Sequence, residues 1–338
     1  MSRIIQRAKH LFQRIARECK VFLITKKIYG FRIAFATFMD GIIPPGKSEK
    51  YISTIQAYVD NELSYLVDIY NTNPPEHNLN PKETTNINSQ KLPIWCCWWQ
   101  GVDSMPELVK MCHTRLKQVI PKDRAELHVI TLDNYKDYVD IPEHIIRKFD
   151  DGIVTMTTMS DVLRFSLLER YGGYWLDATV FFTDNIPEEY FTREFYCQKM
   201  TNRPELVKRE ACKCNWCGFS MHGEKGNIVF RYMVDAFSHW WSKYDTIIDY
   251  VLIDYILMTG YRNIPAIKKV IDTVENNNED IFEMYKSLNE PYSEELLKRF
   301  TEKNVMHKLT YKMDLRKTTD DGELTLYGYL YNEVYNQK

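Results

Sequence analysis

Asp177 stands inside "YWLDATVFF", a run over residues 174–182 that is otherwise apolar enough to be a buried strand. Burying an unpaired carboxylate costs several kcal/mol or forces a proton onto it, so this side chain needs a partner. Alternate residues of a strand share a face, which groups Trp175, Asp177, Thr179 and Phe181. An Asp and a Thr pointing the same way near a strand end can hold a hard cation, Mg²⁺ or Mn²⁺. Such an ion takes one or two carboxylates and completes its shell with water and substrate phosphates. The same position equally suits an Asp that pairs with an Arg or caps a turn. Upstream, Asp161 and Arg164 are three apart in "TMSDVLRFSLLERYGG" and so lie on one helix face. A plainer reading makes Thr158 the N-cap and Asp161 its capping-box acid. Towards the other end, "HKLTYK" brings His307, Lys308 and Lys312 close together; an exposed strand with ordinary lysines is the alternative.

The elements that must position these groups follow from periodicity. "LPIWCCWW" reads as a strand, residues 106–119 as a helix, "ELHVITLD" as a strand and 141–149 as a short helix. Residues 158–171 then form a helix stopped by Gly172-Gly173, and 174–182 a strand. This alternation predicts an α/β layered domain with a largely parallel sheet. Such sheets take ligands beyond the carboxyl ends of their strands, where "WWQG" and "LDNY" fall. Asn134, in the second of these, is either a base or ribose contact or simple turn chemistry. Residues 229–300 are mostly helical, and the stretches flanking Asp321-Gly322 read as a hairpin.

Residues 1–32 carry nine Lys or Arg and a single acid, Glu18. Ile4, Ala8, Leu11, Ile15, Cys19 and Phe22 recur at helical spacing opposite the basic face. A basic amphipathic helix can lie on an anionic membrane surface, or it can pack on a second helix over residues 50–70. The polar, Pro- and Asn-rich stretch 71–90 reads as a linker, so a helical extension over 1–90 and a main domain over 91–338 are expected.

The 338 residues are 44% hydrophobic and 27% charged with a net charge of -2, which suits a soluble globular protein and argues against nucleic acid as a partner. No run reaches the ~18 apolar residues of a membrane span. With no secretory leader visible, the eight cysteines are expected to be thiols in a reducing compartment. "CKCNWC" (Cys212, Cys214, Cys217) would need a fourth ligand, Cys197 or His222, to hold zinc; incidental cysteines are the simpler expectation.

Taken together, "SDVLRFSLLERYGGYWLDATVFF" resembles the core of the DXD-motif sugar transferases, in the branch of the capsular polysaccharide synthesis proteins. That branch is similar to yeast mannosyltransferases and glucosylating clostridial toxins. The similarity runs from about Leu92 to the C-terminus. It implies a GT-A-like nucleotide-diphospho-sugar transferase fold with a helical N-terminal extension. The implied activity is transfer of a sugar from UDP to a surface-polysaccharide acceptor, an oligosaccharide or lipid-linked glycan, with retention. The implied place is the cytoplasmic face of a bacterial membrane, and the implied cofactor is Mn²⁺ or Mg²⁺.

The resemblance also assigns roles. Trp98 stacks on the base, with Trp95 and Trp99 in the core. Asp161 and Arg164 bind the donor sugar, and Asp177 reaches ribose and metal. His307 ligates the metal while Lys308 and Lys312 neutralise the leaving diphosphate. Asp249 is the acceptor contact or base in preference to Asp254, from which it stands about 140° around a helix. No nucleophile is implied. Thr179 departs from the pattern, since a second Asp often stands there. A sugar-nucleotide-binding scaffold without turnover is the alternative that this departure motivates. A dehydrogenase is disfavoured, because no Gly-x-Gly-x-x-Gly turn follows the first strand.

Overall fold

The computed structural model describes residues 3–43, 47–83, 85, 87 and 90–336. The strands are β1 (Leu92–Cys97), β2 (Ala125–Ile130), β3 (Gly173–Leu176), β4 (Val180–Phe182), β5 (Phe195–Cys197), β6 (Ser220–Gly223) and β7 (Met306–Lys308). Five of them form one sheet in the order β2-β1-β3-β6-β5. β1 runs parallel to both β2 and β3, whereas β6 and β5 join antiparallel. The sheet is therefore mixed and not largely parallel. β1 and β3 still end side by side in the same direction, and that pair of ends positions the site.

The predicted strand over 174–182 breaks at the carboxylate. β3 stops at Leu176, Asp177–Thr179 make a turn closed by Val180 N–H donating to the Asp177 carbonyl at 2.9 Å, and β4 leaves to pair with β7 in a separate two-stranded sheet. Strand alternation thus does not govern how Asp177 and Thr179 point. The break frees the Asp177 side chain from a fully buried strand, which a charged group tolerates poorly.

Upstream, Thr155 and not Thr158 caps the helix Met156–Tyr171, accepting from Thr158 N–H at 3.3 Å. Asp161 therefore stands a full turn inside the helix, beyond any capping-box position. Gly172 ends that helix at φ +68, and Gly173 follows at φ +96. A Cβ on Gly172 would fall 2.6 Å from the Lys225 nitrogen, so both conformation and space require glycine there.

Four helices precede the sheet: α1 (Arg3–Tyr29), α2 (Phe31–Ile42), α3 (Glu49–Glu62) and α4 (Ser64–Thr72). α1 folds back mainly on α2, with Gly30 at φ +86 turning the chain between them. It meets the 50–70 region only at its end, where the Tyr29 and Tyr58 rings stand edge to face with centroids 5.6 Å apart. α3 buries Ile52, Ile55 and Val59 and packs on the helix Leu252–Asn263. There Gln56 donates to the Tyr255 carbonyl at 3.1 Å and to Thr259 Oγ1 at 3.0 Å.

The linker stretch is strapped down over its described part. Tyr70 donates to Asp235 at 2.7 Å and Arg231 to the Pro75 carbonyl at 3.0 Å. His77 sits between Asp235 and Glu169, whose hydrogen bonds raise its imidazole to about 9. Residues 84, 86 and 88–89 of that stretch lie outside the described residues.

The C-terminal hairpin is reduced to a tight turn at Asp321-Gly322 closed by one antiparallel bridge, Thr318 opposite Leu324. Residues Leu326–Tyr335 are a helix, capped by Thr325 accepting from Gly328 N–H at 3.0 Å. Leu326, Leu330 and Val334 recur every four residues and are buried in the same cluster as Leu108 and Met111. That period is helical, and it takes the place of the second strand just after the Asp-Gly turn.

Candidate active site

At the joint carboxyl ends of β1 and β3 lies a cleft of about 370 Å³. Its walls come from Trp98 and Gln100 after β1, from Ser160, Asp161 and Arg164 on the helix Met156–Tyr171, and from Asp177 to Thr179 after β3. Tyr311 closes the remaining side and meets Trp98 edge to face, with ring centroids 5.7 Å apart.

Asp177 is the hub of the cleft. Lys308 donates to its Oδ2 at 2.7 Å, and Trp175 Nε1 and Arg164 Nη2 donate to its Oδ1 at 2.9 and 3.3 Å. Burial alone would raise this carboxyl. The charges of Lys308 and Arg164 and the hydrogen bonds from Lys308 and Trp175 outweigh it and hold the group well below the usual carboxylate range. The fold brings Lys308 there by pairing β7 with β4, which sets Lys308 opposite Val180. Its ammonium also lies 4.8 Å from the Phe219 ring centre. Arg164 is buried, its guanidinium 5.0 Å from the Trp175 ring centre and 3.5 Å from Asp161. A Cβ at Gly218 would come within 2.6 Å of Arg164 Nη1, so that glycine makes room for the guanidinium.

Two further carboxylates are held uncomfortably. Burial lifts Asp161 to about 7, with Arg164 opposing and Asp177 and Asp254 adding to the rise. Burial likewise lifts Asp254 to about 6, against a hydrogen bond from Trp216 Nε1 at 2.9 Å. Near neutrality Asp177 is firmly ionised between its two cations, while Asp161 stands at its midpoint and Asp254 is mostly ionised.

The predicted site residues divide. Trp98, Asp161, Arg164, Asp177 and Thr179 line the one cleft, and Lys308 reaches it through Asp177. Trp95 and Trp99 are buried, their indoles donating to Gly172 and Met156 carbonyls at 2.9 Å each, and Trp99 also borders the cleft beside Ser160. Asn134 does turn chemistry: it accepts from Thr131 N–H at 2.8 Å and donates to the Val129 carbonyl at 3.0 Å. Asp249 is away from the cleft, accepting from Tyr51 Oη at 2.6 Å and from Val251 N–H at 2.9 Å at the entry to the helix Leu252–Asn263. Lys312 is exposed, one residue past Tyr311.

His307 faces the other way from Lys308, as neighbours in a strand must. It is fully buried against Phe300, and burial holds its imidazole down to about 4. His307→Leu is expected to leave nucleotide binding unaltered and to change stability by no more than about 1 kcal/mol, checked by thermal denaturation with and without UDP. Tyr311 and Trp175 were not singled out from sequence as site residues, and Asp254 was only the second choice to Asp249. Of these three only Asp254 carried a signal, as the second acid of "IDYVLIDY".

The donor set fits a resident Mg²⁺ or Mn²⁺ poorly. Both oxygens of Asp177 already accept from cations, Thr179 is a neutral hydroxyl, and His307 points away. Among the described residues no group of three or more His, Cys, Asp or Glu could hold a metal ion, and that includes the buried thiols of Cys212, Cys214 and Cys217.

A family model described as "Capsular polysaccharide synthesis protein" matches residues 46–330. The match thus begins at α3, well before the expected start near Leu92. No curated protein matches. A solved structure named "PaToxG Glycosyltransferase" is similar at 13% identity over 66% of this chain and 83% of that one, with a TM-score of 0.35. Since the family model takes in α3, α4, the cleft and β7 together, the chain belongs to the capsular polysaccharide synthesis protein family.

Proposed function

We propose that the chain is a GT-A-like glycosyltransferase that moves a sugar from UDP to a growing surface-polysaccharide acceptor, with retention of configuration. The observation that carries this reading is the clamp on Asp177: an ionised carboxylate held by Lys308 and Arg164 on the floor of a cleft beyond two parallel strands. At the clamp itself the Asp177 carboxylate shares two cations, whose remaining donors a diphosphate can engage. An ammonium has three N–H donors, so Lys308 keeps two for phosphate oxygens while one stays on Asp177. The base lies on Trp98, with Tyr311 at its edge. Asp177 meets the ribose, and Asp161 and Asp254 accept from sugar hydroxyls.

As the bond to the leaving phosphate breaks, negative charge grows on UDP, and Lys308 and Arg164 are already in place to stabilise it. These side chains take the part expected of a divalent cation. The test is UDP release from UDP-sugars by the purified chain. Release that persists in EDTA supports the reading. Loss in EDTA with recovery on Mn²⁺ would return the diphosphate to a metal and take it from Lys308. Absence of release from every common UDP-sugar would remove the transferase reading altogether.

A further inference from the structure

Exposed apolar side chains are concentrated on one small part of the surface. Of the sixteen large hydrophobic residues exposed among the described ones, seven lie between residues 12 and 43. Phe12 is 73% exposed, Leu23 66%, Ile24 62% and Phe31 61%. All lie on the α1–α2 hairpin. Helical spacing puts Lys9, Phe12, Ala16, Lys20, Leu23 and Lys27 along one stripe of α1, and every one of them is exposed. The stripe continues onto α2, where Phe31 and Phe35 stack with ring centres 6.0 Å apart and Arg32 is exposed beside them.

The only acid of α1, Glu18, is buried and paired with Arg17. The outward face therefore carries cations and apolar groups and no carboxylate. The opposite face is already used: Arg14 donates to the Gly41 carbonyl at 2.6 Å and Phe22 packs on Phe38. No described helix is long and apolar enough to cross a membrane. A second copy of the chain is a poor occupant, because a self-complementary contact would set these lysines against one another.

At the root of the hairpin, between α2 and α3, is a pocket of about 530 Å³. Phe35, Ala36, Met39 and Ile43 form its apolar wall, and Arg32, Lys50 and Arg209 supply three cations. Asp40 also lines it, but its two oxygens accept from the Lys47 and Ser48 N–H groups at 2.7 and 3.0 Å. The pocket lies near Asp254: Lys47 and Glu210, chain neighbours of its lining residues Ser48 and Arg209, both act on that carboxyl, which in turn acts on Asp161 in the cleft.

We propose that the α1–α2 hairpin lies on an anionic lipid bilayer and that the pocket at its root takes the phosphate head of a lipid from that bilayer. Lysines flanking an apolar stripe snorkel to anionic headgroups while Phe12, Leu23 and Phe31 enter the acyl boundary. An acceptor anchored through a lipid phosphate would reach the cleft from the side of Asp254; this last placement rests on the transferase reading.

Co-sedimentation of the full chain with vesicles tests the surface without measuring turnover. Vesicles of phosphatidylcholine mixed with phosphatidylglycerol are expected to bind roughly tenfold more protein than phosphatidylcholine alone. The double variant Leu23→Asp/Phe31→Asp should lose that binding while keeping its circular dichroism spectrum and its UDP release in solution. Lys50→Glu/Arg209→Glu should weaken it and leave residual binding through α1. Equal binding to neutral vesicles, or binding unchanged in the Asp double variant, would overturn the proposal. So would a dimer on gel filtration that the Asp double variant splits.

Discussion

Lys308→Met is expected to lower UDP release about 10²–10³-fold, the usual loss when one preorganised group facing developing charge is removed. The substitution keeps the length and apolar stem of the side chain, so its contact with Phe219 survives while the ammonium is lost. Asp177 would then be left with Arg164 and Trp175 alone. Breaking a fully buried pair costs about 3–5 kcal/mol, but Asp177 is 30% exposed, and water reduces the cost here to about 1–2 kcal/mol. A fall in stability and a fall in rate are therefore both expected, and they must be separated.

The double variant Asp177→Asn/Lys308→Met removes both charges and should regain most of the lost stability without regaining UDP release. Lys308→Arg keeps a cation and donors and should recover part of the rate. Stopped turnover, a double variant with restored Tm and an active Arg variant would together identify Lys308 as the group that meets the diphosphate. Recovery of UDP release in the double variant would reduce Lys308 to a partner for Asp177 and nothing more.

The contrast between Lys308 and His307 shows where the sequence was readable. Their clustering near the end of the chain signalled that something arrives at Asp177 from far away. Which of the two arrives depends on the β4–β7 register, and a one-residue slip would exchange them. No local pattern sets that register. The helix Met156–Tyr171 was legible in type because its apolar content is long and continuous, but its N-cap was misplaced among several threonines. The break at Asp177 was hidden because apolar residues continue on both sides of it, so the run resembles one strand although it serves two sheets. Asp254 and Asp249 posed the reverse problem. Both were visible, and the choice between them turned on Tyr51, a residue 198 positions away in sequence that claims Asp249 by hydrogen bond.

Asp161→Asn is expected to stop turnover and at the same time stabilise the fold. The carboxyl stands at about 7 in the folded chain against an ordinary value of 3.8, so folding favours its protonated form. A pKa raised in this way contributes stability that is complete below the unfolded value and is lost as pH rises through the folded one. Asp161's contribution should therefore be lost between about pH 4 and pH 7, and Asp254 follows the same trend through its rise to about 6. Buried His113, His222 and His307, held down to about 4, pull the other way in wild type and variant alike. Asparagine has nearly the same shape and cannot ionise, so the variant escapes Asp161's share of that loss. Its Tm should match wild type near pH 4 and exceed it at pH 7.5, by roughly 2–4 °C for each kcal/mol relieved in a domain of this size.

Turnover should move the other way. An ionised Asp161 accepts from donor hydroxyls, so UDP release by wild type should climb through pH 7, and the variant should be both slow and flat over that range. A variant that is stabilised but inactive is the signature of a carboxylate kept at a cost to the fold because the site uses its charge. Asp161→Asn destabilised at pH 7.5, or still active, would mean that the carboxylate supports Arg164 structurally and takes no part in binding the sugar.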